Sequence, residues 1–198
     1  MKSLPYWNHN TAYYKWIRRQ TANCDKILDV GCGNGLLVHF LDNGEKSITG
    51  IDPGAVCIDS CNKNTASDRI QFIQTDFLSS FEEGSYDAVV FVASIHHMDM
   101  SAALTKAKSI LNIGGKLIIV GLAKPSGVFD FLIEAARIIP VKLISAIKNL
   151  QPSEELNIPV SYDIPTMQYI RKTIKSAIPS AHIKYGLYYR YLLSWTNK

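Results

Sequence analysis

The chain has 198 residues, of which 47% are apolar and 19% charged, a globular composition that excludes wholesale disorder. Its 21 Lys and Arg against 17 Asp and Glu give a net charge of +4, which permits nucleic acid as a partner without implying it. No uncharged apolar run reaches the roughly 18 residues of a transmembrane span, and residues 1–10 lack the apolar stretch of a secretory signal. We therefore expect a single cytoplasmic domain over residues 1–198.

Apolar, β-branched runs alternate with helical spacing along the first part of the chain. Strands are predicted at Lys26–Val30, Ser47–Ile51, Ile70–Gln74, Tyr86–Val92 and Lys116–Leu122. Helices are predicted at Leu36–Asp42, Ala55–Asn62 and Ser101–Leu111, with a turn over residues 112–115. Nearly continuous apolar strands are typical of parallel sheets that are buried on both faces. The β-α-β rhythm therefore predicts an α/β fold with a doubly wound, mostly parallel sheet and helices on both faces.

The pattern changes after Lys124. Residues 126–150 are apolar almost all round, which predicts a helical insertion over 124–163 that is buried or contacts lipid or an apolar ligand. We expect a lid over a hydrophobic pocket, with a dimer contact and peripheral membrane association as alternatives. A helix is predicted at Thr166–Ala177 and two strands at His182–Tyr188 and Tyr191–Thr196, which lie too close in sequence for a parallel pair and must be antiparallel.

The four cysteines predict reduced structural thiols and no metal site. No Cys-x-x-Cys pair occurs among the four, which are Cys24, Cys32, Cys57 and Cys61. A zinc site would need cysteines closer together in sequence, with histidine partners. Reduced thiols are the usual state in the cytosol.

A glycine-rich loop is the strongest functional signal. Gly31, Gly33 and Gly35 stand between a predicted strand and helix, where glycine permits a positive φ and a ligand can approach the backbone. The next strand ends in Asp52, a carboxylate placed to accept hydrogen bonds from both ribose hydroxyls. The loop has the spacing GxGxG instead of the GxGxxG of dinucleotide folds, which disfavours an oxidoreductase. A nucleotide-type ligand is predicted at this edge of the sheet.

A third acidic residue ends the next strand. Asp76, with Phe77 beside it, could offer an acceptor for an adenine amino group and an aromatic wall. The alternative is that Asp76 is an ordinary helix N-cap.

These stretches resemble the class I S-adenosylmethionine-dependent methyltransferases. The resemblance rests on DVGCGNG, GIDP, TDF, YDAVV and LNIGGKLIIV, in that order between Lys26 and Leu122. The two terminal strands match the antiparallel sheet edge of that family. The resemblance implies a Rossmann-like sheet of seven strands with an antiparallel C-terminal strand. It also implies S-adenosyl-L-methionine as methyl donor and S-adenosyl-L-homocysteine as product.

The resemblance further implies which residues contact the cofactor. Asp29 matches the residue that places the methionine amino group, Asp52 the residue that holds the ribose, and Asp76 with Phe77 positions beside the adenine. The complete cofactor-binding set expected on this basis is Asp29, Gly31, Cys32, Gly33, Gly35, Asp52, Pro53, Asp76, Phe77, Ala93 and Ser94.

Two groups of residues are candidates for catalysis. His96 and His97 follow the fourth strand, where one of them would orient or deprotonate the acceptor; the alternative is that they pack or cap the next helix. In the N-terminal segment 1–25, Tyr13 or Tyr14 together with His9 would close over the site and exclude water. The alternative there is a helix that packs on the sheet.

The function predicted is methyl transfer to O, N or S of a small, hydrophobic acceptor. One alternative is an RNA methyltransferase that uses the acid-free C-terminal stretch as a basic face; a non-catalytic cofactor-binding protein is another. The basic residues of that stretch are Arg171, Lys172, Lys175, Lys184, Arg190 and Lys198. We expect them to form a solvated surface at the closing edge of the sheet, so a nucleic-acid partner is not favoured. The sequence does not specify an oligomeric state.

Overall fold

The computed structural model describes residues 7–81, 84–128, 130–133, 135–136 and 164–198. Residues 128, 130–133 and 135–136 are helical. Most of the predicted insertion at 124–163 lies outside the described residues, and with it the lid, dimer and membrane interpretations. None of the helices described is long and apolar enough to cross a membrane.

Seven strands form one sheet in the order β3-β2-β1-β4-β5-β7-β6. Their bounds are Lys26–Val30 (β1), Ser47–Asp52 (β2), Ile70–Gln74 (β3), Tyr86–Val92 (β4), Leu111–Leu122 (β5), Ile183–Tyr185 (β6) and Arg190–Thr196 (β7). The first five strands pair in parallel, whereas β7 is antiparallel to β5 and to β6. The predicted Rossmann-like, mostly parallel sheet with antiparallel C-terminal strands is confirmed.

Helices cover both faces of the sheet. They are Tyr14–Gln20 (α1), Leu36–Leu41 (α2), Ala55–Lys63 (α3), Met100–Ser109 (α4) and Met167–Ala177 (α5), with 3-10 turns at Thr11–Tyr13 and Ile95–His97. The first three helices share one hydrophobic cluster with alternate strand residues, and α4 and α5 share the other. In the central strand β4, Val89 and Phe91 belong to one cluster and Ala88 and Val90 to the other. Side chains alternate across a strand, so a strand between two helical layers must be apolar at every position.

Two strands differ from their predicted bounds by more than one residue. The predicted turn over residues 112–115 is part of β5, where a bulge opposite Tyr86 absorbs the extra residues. Asn197 stabilises this bulge because its backbone N–H donates to Gly115 O and its carbonyl accepts from Gly114 N–H, both at 2.8 Å. The first C-terminal strand ends at Tyr185, since Tyr188 and Tyr189 have φ values of 62° and 55°, which an extended strand does not allow.

Lys46 ties the N-terminal segment to the sheet. It is 7% exposed, and its Nζ donates to the carbonyl oxygens of Thr21, Ala22 and Cys24 at 3.0, 3.1 and 2.6 Å. These carbonyls belong to the chain that leaves α1, so one ammonium group satisfies three acceptors between α1 and β1. Burial of an ammonium group is tolerated here because each of its protons has a partner.

We expect Lys46→Met to lower the free energy of unfolding by about 2–3 kcal/mol, because the three carbonyls lose a charged donor. Urea denaturation followed by circular dichroism measures this loss. Lys63→Met, at an exposed position in the last turn of α3, is the matched control and should change stability by less than about 0.5 kcal/mol. Equal denaturation midpoints for the two variants would contradict the expectation.

Candidate functional site

A cavity of about 600 Å³ opens at the carboxyl ends of the parallel strands. Its size is within the range of small-molecule sites, and carboxyl ends of strands are where ligands bind in open α/β sheets. Most of the residues singled out in the sequence lie in its wall. Those are Asp29, Gly31, Cys32, Gly33, Asp52, Pro53, Asp76, Phe77, Ala93, Ser94, His96, His97 and Tyr14.

The glycine loop is held against two neighbouring strands. The N–H groups of Gly31 and Cys32 donate to Ile51 O at 2.8 and 3.0 Å, and the Ser94 hydroxyl donates to Val30 O. Gly31 has a φ of 75°, and a Cβ at this position would lie 2.4 Å from the Cβ of Ser94. Only glycine fits there, because both the backbone angle and the space exclude a side chain.

Gly35 is outside the cavity wall, although it was expected beside the cofactor. It precedes α2 with a φ of 71°, and a Cβ would lie 2.6 Å from the ring of Phe72. The third glycine of the loop is therefore required for the turn into α2 and for its packing on β3.

Asp52 presents both carboxylate oxygens at the end of β2. Oδ2 accepts from Gly33 N–H at 3.0 Å, and Oδ1 accepts from Gly54 N–H at 2.8 Å. These two bonds fix the carboxylate plane. Each oxygen retains acceptor capacity, so the group can receive two neighbouring hydroxyls, the arrangement found in a ribose.

Asp29 is a buried acid in the wall of the same cavity. It is 2% exposed, and burial, with a smaller contribution from the negative charge of Asp52, raises the pKa of Asp29 to about 7. An acid in this state is half ionised near neutral pH. A positively charged ligand group beside it would favour the carboxylate form and lower that pKa.

Asp76 caps the turn that follows β3, which was one of the two roles that the sequence left open. Its Oδ1 accepts from the N–H groups of Leu78 and Ser79 and from the Ser79 hydroxyl, and these bonds, the Ser79 N–H foremost, lower the pKa of Asp76. The residue thus caps the turn while it borders the cavity. Phe77 also borders the cavity, but it is 2% exposed and packs edge-on against Phe91, so most of its ring belongs to the core.

The histidine pair lies on the 3-10 turn after β4. Both rings border the cavity, with their centroids 4.1 Å apart. Burial, followed by the nearby His97 and Arg190, lowers the pKa of His96 to about 4. His96 is therefore neutral at pH 7, and its buried Nδ1 has no hydrogen-bond partner among the described residues.

The N-terminal segment contributes residues other than those expected. Tyr14 lies in the wall and packs against Phe40. Tyr13 and His9 are outside the wall: the Tyr13 hydroxyl donates to Leu187 O at 2.8 Å, and the His9 ring stacks on Tyr188. Asn8 and Asn10 border the cavity instead, and no sequence motif distinguishes these two asparagines.

Arg190 corrects the interpretation of the basic C-terminal stretch. The sequence placed it on a solvated face, yet it is 8% exposed and borders the cavity. Arg190 is the first residue of β7 and pairs with Leu122 at the end of β5. Its side chain therefore lies at the edge of the sheet where the parallel strands end. The other five basic residues of the stretch are exposed, as expected: Arg171, Lys172, Lys175, Lys184 and Lys198.

Comparison with known families and proteins consistently finds methyltransferases. Residues 28–119 match the family model described as a methyltransferase domain. An uncharacterized methyltransferase of Mycobacterium bovis is 26% identical over 193 residues, which cover 96% of each chain. A ubiquinone biosynthesis O-methyltransferase of Nitrosococcus oceani is 25% identical over 67% of this chain and 58% of its own length.

Solved structures share the fold at low sequence identity. The plantazolicin methyltransferase BpumL in complex with S-adenosylhomocysteine aligns with a TM-score of 0.62 at 15% identity, over 93% of this chain and 82% of its own. The magnesium protoporphyrin IX methyltransferase of Synechocystis, also with bound S-adenosylhomocysteine, aligns with a TM-score of 0.61 at 16% identity, over 96% and 81%.

The raised pKa of Asp29 makes the stability of the free protein depend on pH. The folded state holds a proton up to about pH 7, whereas the unfolded chain releases it near the ordinary value, so the free energy of unfolding falls between these values by up to about 4 kcal/mol. We expect Asp29→Asn to remove this loss. Its melting temperature should rise relative to the wild type as the pH is raised from 5 to 8.

Thermal unfolding at several pH values measures this difference. Asp59→Asn on the exposed side of α3 is the control and should follow the wild type. A difference between Asp29→Asn and wild type that does not change with pH would contradict the assignment.

Proposed function

We propose that this chain is a class I S-adenosylmethionine-dependent methyltransferase that transfers a methyl group to an oxygen, nitrogen or sulfur atom of a small molecule, in agreement with the methyltransferase-domain match over residues 28–119 and with the methyltransferases among its relatives. The observation that carries the proposal is the cavity itself, which joins three carboxylates on one side to the histidine pair on the other. The names of relatives include both kinds of acceptor: one relative acts in ubiquinone biosynthesis, which agrees with a small acceptor, and another is a ribosomal protein L11 methyltransferase.

The residues in the cavity fit the proposed donor. S-adenosylmethionine supplies, when bound, an electrophilic methyl group on a positively charged sulfur. Asp52, fixed by two backbone N–H groups, would accept the ribose hydroxyls, and Asp76 would accept from the adenine amino group. Asp29 would pair with the amino group of the methionine part, since its burial makes a cationic partner favourable.

The other side of the cavity supports an apolar acceptor. Met98, Leu122 and Ile164 border it there, beside His96 and His97. Residues 7–25 cover the cavity through Asn8, Asn10 and Tyr14, which supports the expected role of the N-terminal segment as a cap. Exclusion of water and correct orientation lower the barrier of a displacement reaction.

His96 would position the acceptor and would be a weak base. A group with a pKa near 4 removes few protons at pH 7, whereas a neutral imidazole donates one hydrogen bond and accepts another. We therefore propose that His96 orients the acceptor by a hydrogen bond. The acceptor atom would then reach the site already nucleophilic or lose its proton to solvent.

The exposed basic residues give no specific support to an RNA acceptor. Arg190 turns into the cavity, and of the described tail only the scattered charges of α5, β6 and the last residue face solvent. A small molecule that enters the cavity is the better match.

Loss of the Asp52 carboxylate should weaken cofactor binding. We expect Asp52→Asn to raise the dissociation constant of S-adenosylhomocysteine at least tenfold, because an amide accepts through one atom where the carboxylate accepts through two. Isothermal titration measures the constant, and Asp59→Asn should leave it unchanged within twofold. Unchanged binding by Asp52→Asn, or binding of NAD with none of S-adenosylhomocysteine by the wild type, would overturn the proposal.

Removal of the His96 ring should slow turnover without loss of the cofactor. We expect His96→Ala to reduce methyl transfer from tritiated S-adenosylmethionine to a small-molecule extract at least tenfold, because the acceptor is less well oriented. The affinity for S-adenosylhomocysteine should stay within threefold. His97→Ala is the matched comparison.

The pH profile distinguishes orientation from base catalysis. With a pKa near 4, His96 adds no change in rate between pH 6 and 8, so wild type and His96→Ala should keep a constant ratio of rates over that range. Equal turnover of the two proteins would assign His96 to packing alone.

A further inference from the structure

Arg190 is a buried cation at the acceptor side of the cavity. It is 8% exposed, and it begins β7, which runs antiparallel to β5. The first residue of an antiparallel strand lies at the same edge as the carboxyl ends of its parallel neighbours. Arg190 therefore borders the cavity on the side opposite Asp52. Asp52 ends β2, and strands β1, β4 and β5 lie between β2 and β7 in the sheet.

Its guanidinium group has donors to spare. Nη1 donates to Tyr188 O at 3.0 Å and Nη2 to Asn10 Oδ1 at 2.7 Å, while Nε has no partner among the described residues. A guanidinium carries five N–H groups, so three are left over. Within the part of the chain that the structure describes, no carboxylate lies within ion-pair distance of this side chain.

A charge in this state is costly. Burial lowers the pKa of Arg190 to about 10, which still leaves it positively charged at pH 7. Buried charges are normally paired, since an ion removed from water without a partner loses its hydration and gains nothing in return. A ligand in the cavity is therefore the natural source of the counter-charge.

The chain holds this arginine in place at a further cost. Tyr188 and Tyr189, directly before it, both have positive φ values, an unfavourable backbone region for bulky residues. The His9 ring stacked on Tyr188 and the bond from Ala123 N–H to Tyr189 O stabilise this conformation. Residues held in such conformations cluster at active sites and ligand-binding sites.

We propose that Arg190 binds a carboxylate group of the methyl acceptor, so that the substrate is a small carboxylic acid with an apolar body. This inference rests on the proposed function and names the substrate class for it. Asn10, which borders the cavity and accepts from Arg190, contributes its amide N–H groups to the same carboxylate.

A single negative charge suits the cavity better than a phosphate. Arg190 is the one Lys or Arg among the described wall residues, whereas Asp29, Asp52 and Asp76 all border the same space. A dianion would bring two negative charges against one wall cation, beside the carboxylates of Asp52 and Asp76. A monoanion matched to the planar guanidinium fork avoids this repulsion.

Matched acids and amides test the proposal on the full chain saturated with S-adenosylhomocysteine. The probes are benzoate against benzamide and hexanoate against hexanamide, titrated while the ¹H–¹⁵N signal of the Arg190 Nε–H is followed by NMR. We expect each acid to bind at least tenfold more tightly than its amide and to shift that signal. Equal binding of acid and amide by the wild type overturns the proposal, and this comparison needs no variant to fold.

Three variants test whether Arg190 is the source of the preference for acids over amides. Arg190→Gln should abolish it and keep the affinity for S-adenosylhomocysteine within threefold. Asn10→Asp should give Arg190 an internal partner and weaken acid binding at least tenfold in a folded protein. Lys184→Gln, at an exposed position on β6, is the control and should retain the full preference.

The remaining outcomes distinguish failure of this inference from failure of the proposed function. A tenfold loss of S-adenosylhomocysteine affinity in Arg190→Gln would assign the arginine to the carboxylate of the donor and overturn the proposal. Tighter binding of phenyl phosphate than of benzoate would overturn the choice of a carboxylate. Failure of the wild type to bind S-adenosylhomocysteine would refute the proposed function, whereas normal binding of it with no acid preference would refute the inference alone.

Discussion

The close approach of Gly31 to Ser94 determines the shape of the site. The loop after β1 and the loop after β4 meet with no room for a side chain at position 31, and the Ser94 hydroxyl closes the contact by a hydrogen bond to Val30 O. The strands β1 and β4 are adjacent in the centre of the sheet. This contact therefore fixes the distance between the side of the cavity that holds Asp29, Asp52 and Asp76 and the side that holds His96 and His97.

The two halves have opposite electrostatic character. Three acids border the cavity on the side of β1 to β3, and a buried guanidinium borders it on the side of β7. The donor that we propose carries positive charge and the acceptor that we propose carries negative charge, so each would relieve the desolvation of the side chains that receive it. Such an arrangement also disfavours either ligand in the other's place.

The sequence predicts the acidic half much better than the basic half. Asp29, Gly31 and Asp52 lie in short local motifs, where one strand and one turn decide the position of the residue. Arg190 and Asn10 meet through a contact between the two ends of the chain, and no local pattern encodes that distance. Gly35 shows that a motif can also predict too many binding residues. This glycine is required for packing against Phe72, although its place in the motif predicted a contact with the cofactor.

The order in which the chain is synthesised bears on when the site becomes complete. Residues 28–119 carry the whole acidic half, and they leave the ribosome before β7 exists. The pairing of Arg190 with Asn10 and Leu122 can form only after the last strand has been added to the sheet. The basic half of the cavity is therefore complete only in a chain that includes β7, whose Tyr191 and Leu193 are also fully buried in the core.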